Sequence, residues 1–176
     1  MNFFFKWSVA TLILAVIFHL AFVTLIPSAI MSIAFSKLQA NFDQNEIIHA
    51  PRITSESRTV VSPSPDLVYS LCIFNLSAGP VKLSFGKSSN YASLALYGDN
   101  TDNFFSLNDR DIKEEGVDIL LVHDEAFKPE NLSNAIVVTS PSKKGLVLIR
   151  RYFENELDWL RAKAEQAGDG CRPFSS

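Results

Sequence analysis

The stretch Leu67–Tyr97, LVYSLCIFNLSAGPVKLSFGKSSNYASLALY, decides the fold of this chain. It holds three short apolar runs, Leu67–Leu76, Val81–Phe85 and Tyr91–Tyr97, and the first two are followed by turn residues such as glycine, proline and asparagine. Short runs rich in β-branched and aromatic residues, bounded by such turns, are typical of β-strands. The stretch therefore predicts consecutive strands rather than alternating strands and helices.

The same pattern continues toward the C-terminus, and no long amphipathic segment interrupts it before Asn155. Regularly spaced short strands without intervening helices indicate an antiparallel sandwich or barrel. The further strands predicted by this pattern are Phe104–Leu107, Ile119–Val122, Ala135–Thr139 and Leu146–Tyr152.

A helix is predicted from Asn155 onward. Its residues Leu157, Leu160, Ala164 and Ala167 recur at helical spacing and share one face. Such a stripe usually packs against the rest of a domain. We therefore expect a C-terminal amphipathic helix that lies on the sheet through these four residues.

The N-terminal segment is apolar and carries no charged side chain from Trp7 to Ser36. A transmembrane helix needs about 20 such residues, whereas the apolar region of a cleaved signal peptide has only about 7–15. The length favours an uncleaved signal-anchor over a cleaved signal. Pro27 is expected to kink or end the helix, which would separate a membrane-crossing part ending near Ile26 from an interfacial part.

The chain thus divides into an anchor with its interfacial extension (1–38), a linker (39–65) and a β domain with a terminal helix (66–176). The linker is polar and proline-rich, with one short strand predicted at Arg58–Val61. Lys6 precedes the apolar segment, and Lys37 follows it closely. The weak bias of positive charge places the N-terminus in the cytoplasm and the domain outside.

Composition argues against several classes of function. The formal net charge is −3, and no basic cluster of the kind that binds nucleic acid occurs. The chain contains no nucleophile elbow, phosphate loop, dinucleotide fingerprint or metal-ligand spacing of His and Cys. No cofactor and no metal site is therefore predicted, and a non-enzymatic role is favoured over an enzymatic one.

Four polar residues are the weak candidates for catalysis. Asp66, Tyr69, Asp99 and Asp102 would form an acid–base group if they met at one end of the sandwich. Asp and Asn are also common turn residues, because their side chains bond to their own backbone, and this interpretation is favoured. Arg150 and Arg151 end a predicted strand; they could bind an anionic lipid head group or a glycan, but solvated side chains are favoured.

The two cysteines are Cys72, within an apolar run, and Cys171, just beyond the terminal helix. In an oxidising compartment, one disulfide is the simplest use of two cysteines. The alternative is one buried thiol and one solvated thiol. A bridge would attach the C-terminal segment to the strand that carries Cys72.

Three groups of short motifs occur along the β domain. They are 64–70 (SPDLVYS) with 74–80 (FNLSAGP), 91–94 (YASL) with 99–104 (DNTDNF), and 140–141 (SP) with 145–151 (GLVLIRR). Together these motifs resemble those of the bacterial DUF1254 family. The resemblance covers about residues 50–160 and departs from the family pattern at Ser64 and Leu67, where Asn and Thr are common.

The resemblance implies a jelly-roll-like β-sandwich in the envelope of a Gram-negative bacterium. It also implies a companion DUF1214 domain in the same or a neighbouring protein, and it supplies no catalytic residues. Together with the anchor, these features predict a single-pass inner-membrane protein whose periplasmic domain binds a DUF1214-type partner. The alternative is an enzyme, or an enzyme subunit, that acts on envelope glycans.

Overall fold

The computed structural model describes residues 3–54, 56–57, 63–112, 116–123 and 135–174. They form a long N-terminal helix, two β-sheets that are not closed into a barrel, and a short C-terminal helix. The mainly β sandwich predicted from the sequence is confirmed. The elements are α1 (Phe3–Gln39), β1 (Ile48–His49), β2 (Leu67–Asn75), β3 (Val81–Phe85), β4 (Ala92–Gly98), β5 (Asn103–Asn108), β6 (Val117–Val122), β7 (Ile136–Thr139), β8 (Lys144–Tyr152), α2 (Glu156–Glu165) and β9 (Gly170–Pro173).

The strands form a five-stranded sheet in the order β1-β2-β8-β4-β5 and a four-stranded sheet in the order β7-β6-β3-β9. Nearly all neighbouring strands run antiparallel, as predicted. The exception is β7, which pairs with β6 in parallel, so the expectation of a wholly antiparallel sandwich is wrong at this edge.

The hydrophobic core lies between the two sheets, where alternate residues of each strand point inward. Phe74 and Ile149 come from the five-stranded sheet, Leu83 comes from the other sheet, and all three are fully or almost fully buried. Gly145 is required in β8, because a Cβ there would lie 2.2 Å from both a ring atom of Phe74 and the carbonyl oxygen of Tyr97.

Helix α1 continues through Pro27. The expectation that the helix ends at this proline is therefore wrong. Proline removes one backbone hydrogen bond and crowds the preceding turn. In a helix of 37 residues the apolar, helix-forming segments on both sides maintain the remaining hydrogen bonds.

The last turns of α1 pack on the outer face of the five-stranded sheet. Met31 and Phe35 are buried against Ile73 of β2, with Tyr97 and Leu146 packed around them. The three sheet residues form one row across β2, β8 and β4. Met31, Ala34 and Phe35 thus face the β domain, whereas Ile30 and Ile33 stay more than half exposed.

The first part of the predicted linker also joins the five-stranded sheet. Asn45 N–H donates to the carbonyl of Ile73 (2.9 Å), and β1 then pairs with β2. Ala50 N–H donates to the carbonyl of Tyr69 (3.0 Å), which extends this contact by one residue. The strand predicted at Arg58–Val61 lies outside the described residues.

Helix α2 begins at the N-cap Asn155, whose side chain accepts a hydrogen bond from the Asp158 N–H. Its orientation differs from the prediction. Leu157 and Leu160 are 58% and 53% exposed, and the other two residues of the predicted stripe are exposed as well. The helix instead buries Ala162 and part of Trp159. We call the exposed set Leu157, Leu160, Ala164 and Ala167 the outer face of α2.

Candidate functional site

The four sequence-predicted candidates do not meet at one end of the sandwich. Tyr69 shares a cross-strand row with Ser93, and Asp66 lies just before the start of β2. Asp99 and Asp102 follow Gly98, which is five residues further along β4. Five residues of strand span about 16 Å, so the two pairs lie at opposite ends of the sheet. They cannot act together on one small substrate.

The contacts of these candidates are those of turn residues. The Asp102 carboxylate accepts a hydrogen bond from the Asn100 amide (2.6 Å), and the backbone N–H of Asp99 donates to the Ser142 hydroxyl (3.2 Å). The Ser64 hydroxyl donates to the Asp66 carboxylate, while the Tyr69 hydroxyl accepts from the Ser64 N–H (2.8 Å).

A different polar cluster is assembled inside the sandwich, and sequence reasoning missed it. Arg151 of β8 is only 1% exposed, so the expectation that it is solvated is wrong. Side chains along a strand point to the two faces of the sheet in turn. Arg151 therefore lies on the same face as Val147 and Ile149, which is the face toward the core. The alternation was the signal in the sequence that could have revealed its burial.

The partner of Arg151 is Asp169, which lies between α2 and β9. Two guanidinium N–H groups donate to the two carboxylate oxygens, each at 2.6 Å, and Arg151 also donates to the carbonyl of Gly86 (3.2 Å). The Asp169 side chain is fully buried. This bidentate ion pair has two parallel N–H···O hydrogen bonds, which is a strong arrangement of an arginine and a carboxylate.

Ser70 connects this ion pair to its surroundings. Its hydroxyl donates to Asp169 (2.9 Å) and accepts from the Gln166 side-chain amide (2.9 Å), while Nδ1 of His49 lies 3.0 Å away. The Gln166 amide also donates to the carbonyl of Tyr69 (2.9 Å). The C-terminal segment is therefore tied to β2 by side chains as well as by packing.

Glu165 extends the cluster to the loop after β3. Its carboxylate accepts hydrogen bonds from the hydroxyls of Ser88 (2.9 Å) and Ser89 (2.6 Å) and lies 3.9 Å from Nε of Arg151. The loop passes so close that a Cβ at Gly86 would lie 3.0 Å from the Cα of Gly168. Polar side-chain contacts thus join β2, β8, the loop after β3 and the C-terminal segment at this end of the domain.

The disulfide lies directly beside the ion pair. The structure joins Cys72 to Cys171, with their Cα atoms 6.4 Å apart. Cys72 is two residues beyond Ser70, and Cys171 is two residues beyond Asp169, so hydrogen bond and bridge connect the same two segments. The pairing brings β9 against the strand that carries Cys72.

The hydrogen bonds also determine the tautomer of His49. The one hydroxyl hydrogen of Ser70 is donated to the carboxylate of Asp169, so His49 must be the donor to Ser70. Neutral His49 therefore carries its hydrogen on Nδ1, and Nε2 keeps an unshared electron pair. Partial burial lowers the pKa of His49 below its usual value of 6.5; Asp169 opposes this, whereas Lys163 and Arg151 reinforce it.

This lowered pKa predicts a pH dependence of stability. The unfolded state binds a proton near pH 6.5, while folded His49 binds it only at lower pH. The free energy of unfolding should therefore fall as the pH drops from 6.5 through the folded pKa. We expect His49→Asn, which keeps a donor near the Nδ1 position, to flatten this decrease in urea titrations across a pH series. If the free energy of unfolding falls equally with pH in the wild type and in His49→Asn, His49 is not the group responsible.

The chemistry of this cluster is more typical of a buried network that stabilises the fold than of an active site. Ser70 and Arg151 are buried, and the Asp169 carboxylate is occupied by its partners. Among the residues that the structure describes, no group of three or more His, Cys, Asp and Glu could hold a metal ion.

The family model of DUF1254, described as a protein of unknown function, matches residues 44–173. The chain belongs to the DUF1254 family. The match covers β1 through β9 and confirms the resemblance found in the motifs. It includes the ion pair and the disulfide, and all of α1 lies outside it.

Two solved structures are similar to this DUF1254 protein. The VPA0106 protein from Vibrio parahaemolyticus aligns with a TM-score of 0.67 and 16% identity, covering 85% of this chain and 35% of its own. An uncharacterised protein from Burkholderia cenocepacia aligns with a TM-score of 0.46 and 14% identity, covering 74% and 37%. The first likeness establishes a shared fold, and this chain spans about a third of that protein's length. No match was found among curated proteins.

Proposed function

We propose that this protein is a single-pass inner-membrane protein whose periplasmic β domain is a non-catalytic binding module. Its partner would be a protein of the DUF1214 type. The proposal has three parts: the anchor, the compartment and the binding surface. Each is supported by a different feature of the described residues.

Retention of the anchor is supported by the two environments along α1. The large apolar side chains from Phe3 to Ile30 are exposed, as in a helix that faces lipid. Met31 and Phe35 are then buried on the β domain, where they cover Ile73. Cleavage after α1 would expose the apolar row Ile73, Leu146 and Tyr97 to water. This cost favours a helix that remains part of the mature protein.

The compartment is supported by the cysteines and by the charge bias. A disulfide persists in the periplasm and is rare in the cytoplasm. The pair Cys72–Cys171 therefore suits a domain outside the inner membrane. Lys6, before the apolar segment, favours an N-terminus on the cytoplasmic side.

The observation that carries the binding role is the outer face of α2. Leu157 and Leu160 are more than half exposed, and their spacing of three residues places them on the same side of the helix. An exposed apolar face on a soluble surface is typical of a protein-binding site.

The anchor predicts that the full chain stays in the membrane with its N-terminus intact. We expect resistance to alkaline carbonate extraction, and intact-mass measurement should show a chain that begins at residue 1. A variant without residues 1–30 is the control and should be recovered in the soluble fraction. A mature protein that begins after residue 38 would contradict the proposal.

The outer face of α2 predicts a local crosslink. A photoreactive residue at Leu160 should capture a partner protein in membranes, and Leu157→Ser should reduce the yield severalfold without changing the melting temperature. The matched control is Val137 of β7, which is similarly exposed (47%) on the other sheet. Equal capture from both positions, or from neither, would contradict a partner at α2.

A further inference from the structure

The outer face of the five-stranded sheet carries a polar row across four strands. Tyr69 of β2 pairs with Arg150 of β8, Arg150 pairs with Ser93 of β4, and Ser93 pairs with Asn108 of β5. Arg151 points into the core, so its neighbour Arg150 points to the opposite side of the sheet. We call these four residues the outer polar row.

Two donors of the outer polar row have no acceptor. Ser93 is only 6% exposed, and its hydroxyl has no hydrogen-bond partner among the described residues. The Nε atom of Arg150 is also buried and unpaired. In the described part of the chain, Arg150 forms no ion pair either, whereas two N–H groups of its neighbour Arg151 bind the carboxylate of Asp169 and only its Nε is unpaired.

An unpaired buried donor is costly, and native proteins rarely keep one without a reason. Here two such donors are cross-strand neighbours, whose Cβ atoms lie about 5 Å apart in such pairs. One of them belongs to a guanidinium group, whose planar N–H groups match the oxygen atoms of phosphate and carboxylate. Arg150 is partly exposed, which gives a ligand access to it.

We propose that the outer polar row is a binding site for an oxyanion of the phosphate class. The guanidinium of Arg150 supplies charge and N–H donors, and the hydroxyl of Ser93 supplies a further donor. The oxygen of the Asn108 side chain already accepts from the Arg110 N–H (2.9 Å), which leaves its amide to donate. This proposal goes beyond the binding of a protein partner and does not depend on it.

The position of the row suggests two sources of phosphate. On each of β2, β8 and β4, the row lies four residues from the contact with α1, which is about 13 Å along the strands. A phospholipid head group could reach a site at this distance from the anchor. A soluble phosphate or phosphate monoester could reach it from the aqueous side.

The test uses the full chain in phosphatidylcholine nanodiscs and inorganic phosphate as the probe. We expect phosphate to shift the Arg150 Nε–H resonance saturably, and Arg150→Gln to weaken binding at least about tenfold. Ser93→Ala should weaken binding about fivefold, yet leave the melting temperature unchanged or higher, because the removed hydroxyl has no partner among the described residues. The control Arg172→Gln, an exposed arginine on the other sheet, should bind as the wild type does.

A second arm replaces part of the phosphatidylcholine with phosphatidylglycerol and omits free phosphate. A shift of the Arg150 resonance in this arm alone would assign the site to a lipid head group and would support the proposal. No saturable shift in either arm would overturn it. Equal losses of binding in Arg150→Gln and Arg172→Gln would also overturn it, since they would indicate unspecific attraction to positive charge.

Discussion

Asp169→Ala is expected to lower the free energy of unfolding by about 3–5 kcal/mol, the usual cost of removing one partner from a buried ion pair. The substitution leaves Arg151, which is 1% exposed, without its carboxylate. It also removes the acceptor of the Ser70 hydroxyl. An uncompensated buried charge has neither water nor a counter-ion to stabilise it, so the effect should exceed that of an ordinary core substitution.

The measurement is urea denaturation of wild type and variant under the same oxidising conditions. Glu156→Ala is the matched control, because its ion pair with Arg52 is solvent-exposed and should contribute only about 0–1 kcal/mol. The double variant Arg151→Met, Asp169→Ala should recover much of the loss, since no charge remains buried. If Asp169→Ala costs no more than Glu156→Ala, the pair does not stabilise the fold.

Loss of the disulfide should have the second large effect. Replacing Cys72 and Cys171 with alanine is expected to lower the free energy of unfolding by about 2–5 kcal/mol. The bridge joins residues 99 positions apart, so it restricts the unfolded chain over more than half its length. It also attaches β9, whose pairing with β3 is short.

Reduction of the wild type should reproduce this loss, and the double-alanine variant should be insensitive to the reductant. Thiol labelling of the unreduced native protein provides the independent check. Two reactive thiols would show that the bridge does not form in the protein as isolated. Because Ser70–Asp169 and Cys72–Cys171 connect the same segments, their effects on stability should not be additive.

Most strands could be predicted from the sequence because their signals are local. The run Val81–Phe85 is bounded by turn residues and appears as β3 with the same limits. The start of α2 was also predictable, because the N-cap Asn155 acts within one turn. The parallel pairing of β7 with β6 was not, since no local feature of a strand specifies which neighbour it joins.

The packing of the helices could not be predicted, because it depends on which face of each helix fits the surface of the sheet. The outer face of α2 is the more apolar one, yet Ala162 and Gln166 face the domain. The small Ala162 packs with Val68 and Phe153, and Gln166 donates to the backbone of β2. A hydrophobic stripe indicates that a helix has an apolar side, but it does not indicate whether the same chain or another protein covers it.

The candidate site shows the same limit. Asp66 and Asp99 looked suitable because carboxylates and turn residues cluster around them, but sheet register places them at opposite ends. The Arg151–Asp169 pair joins residues 18 positions apart through the interior. Only the alternation along β8 indicated that Arg151 points inward, and nothing in the sequence identified its partner.

The sequence by itself determined the long apolar N-terminal helix, the succession of strands and the family, because each depends on the order of residues over short distances. The tertiary structure decided that the end of α1 packs on the sheet and that Asp169 neutralises Arg151. It also decided that the Ser93 hydroxyl and the Arg150 Nε find no partner among the described residues. These features depend on strand register and on which surfaces meet. Such contacts join residues distant in the chain, and their free energy is gained only when the whole domain is assembled.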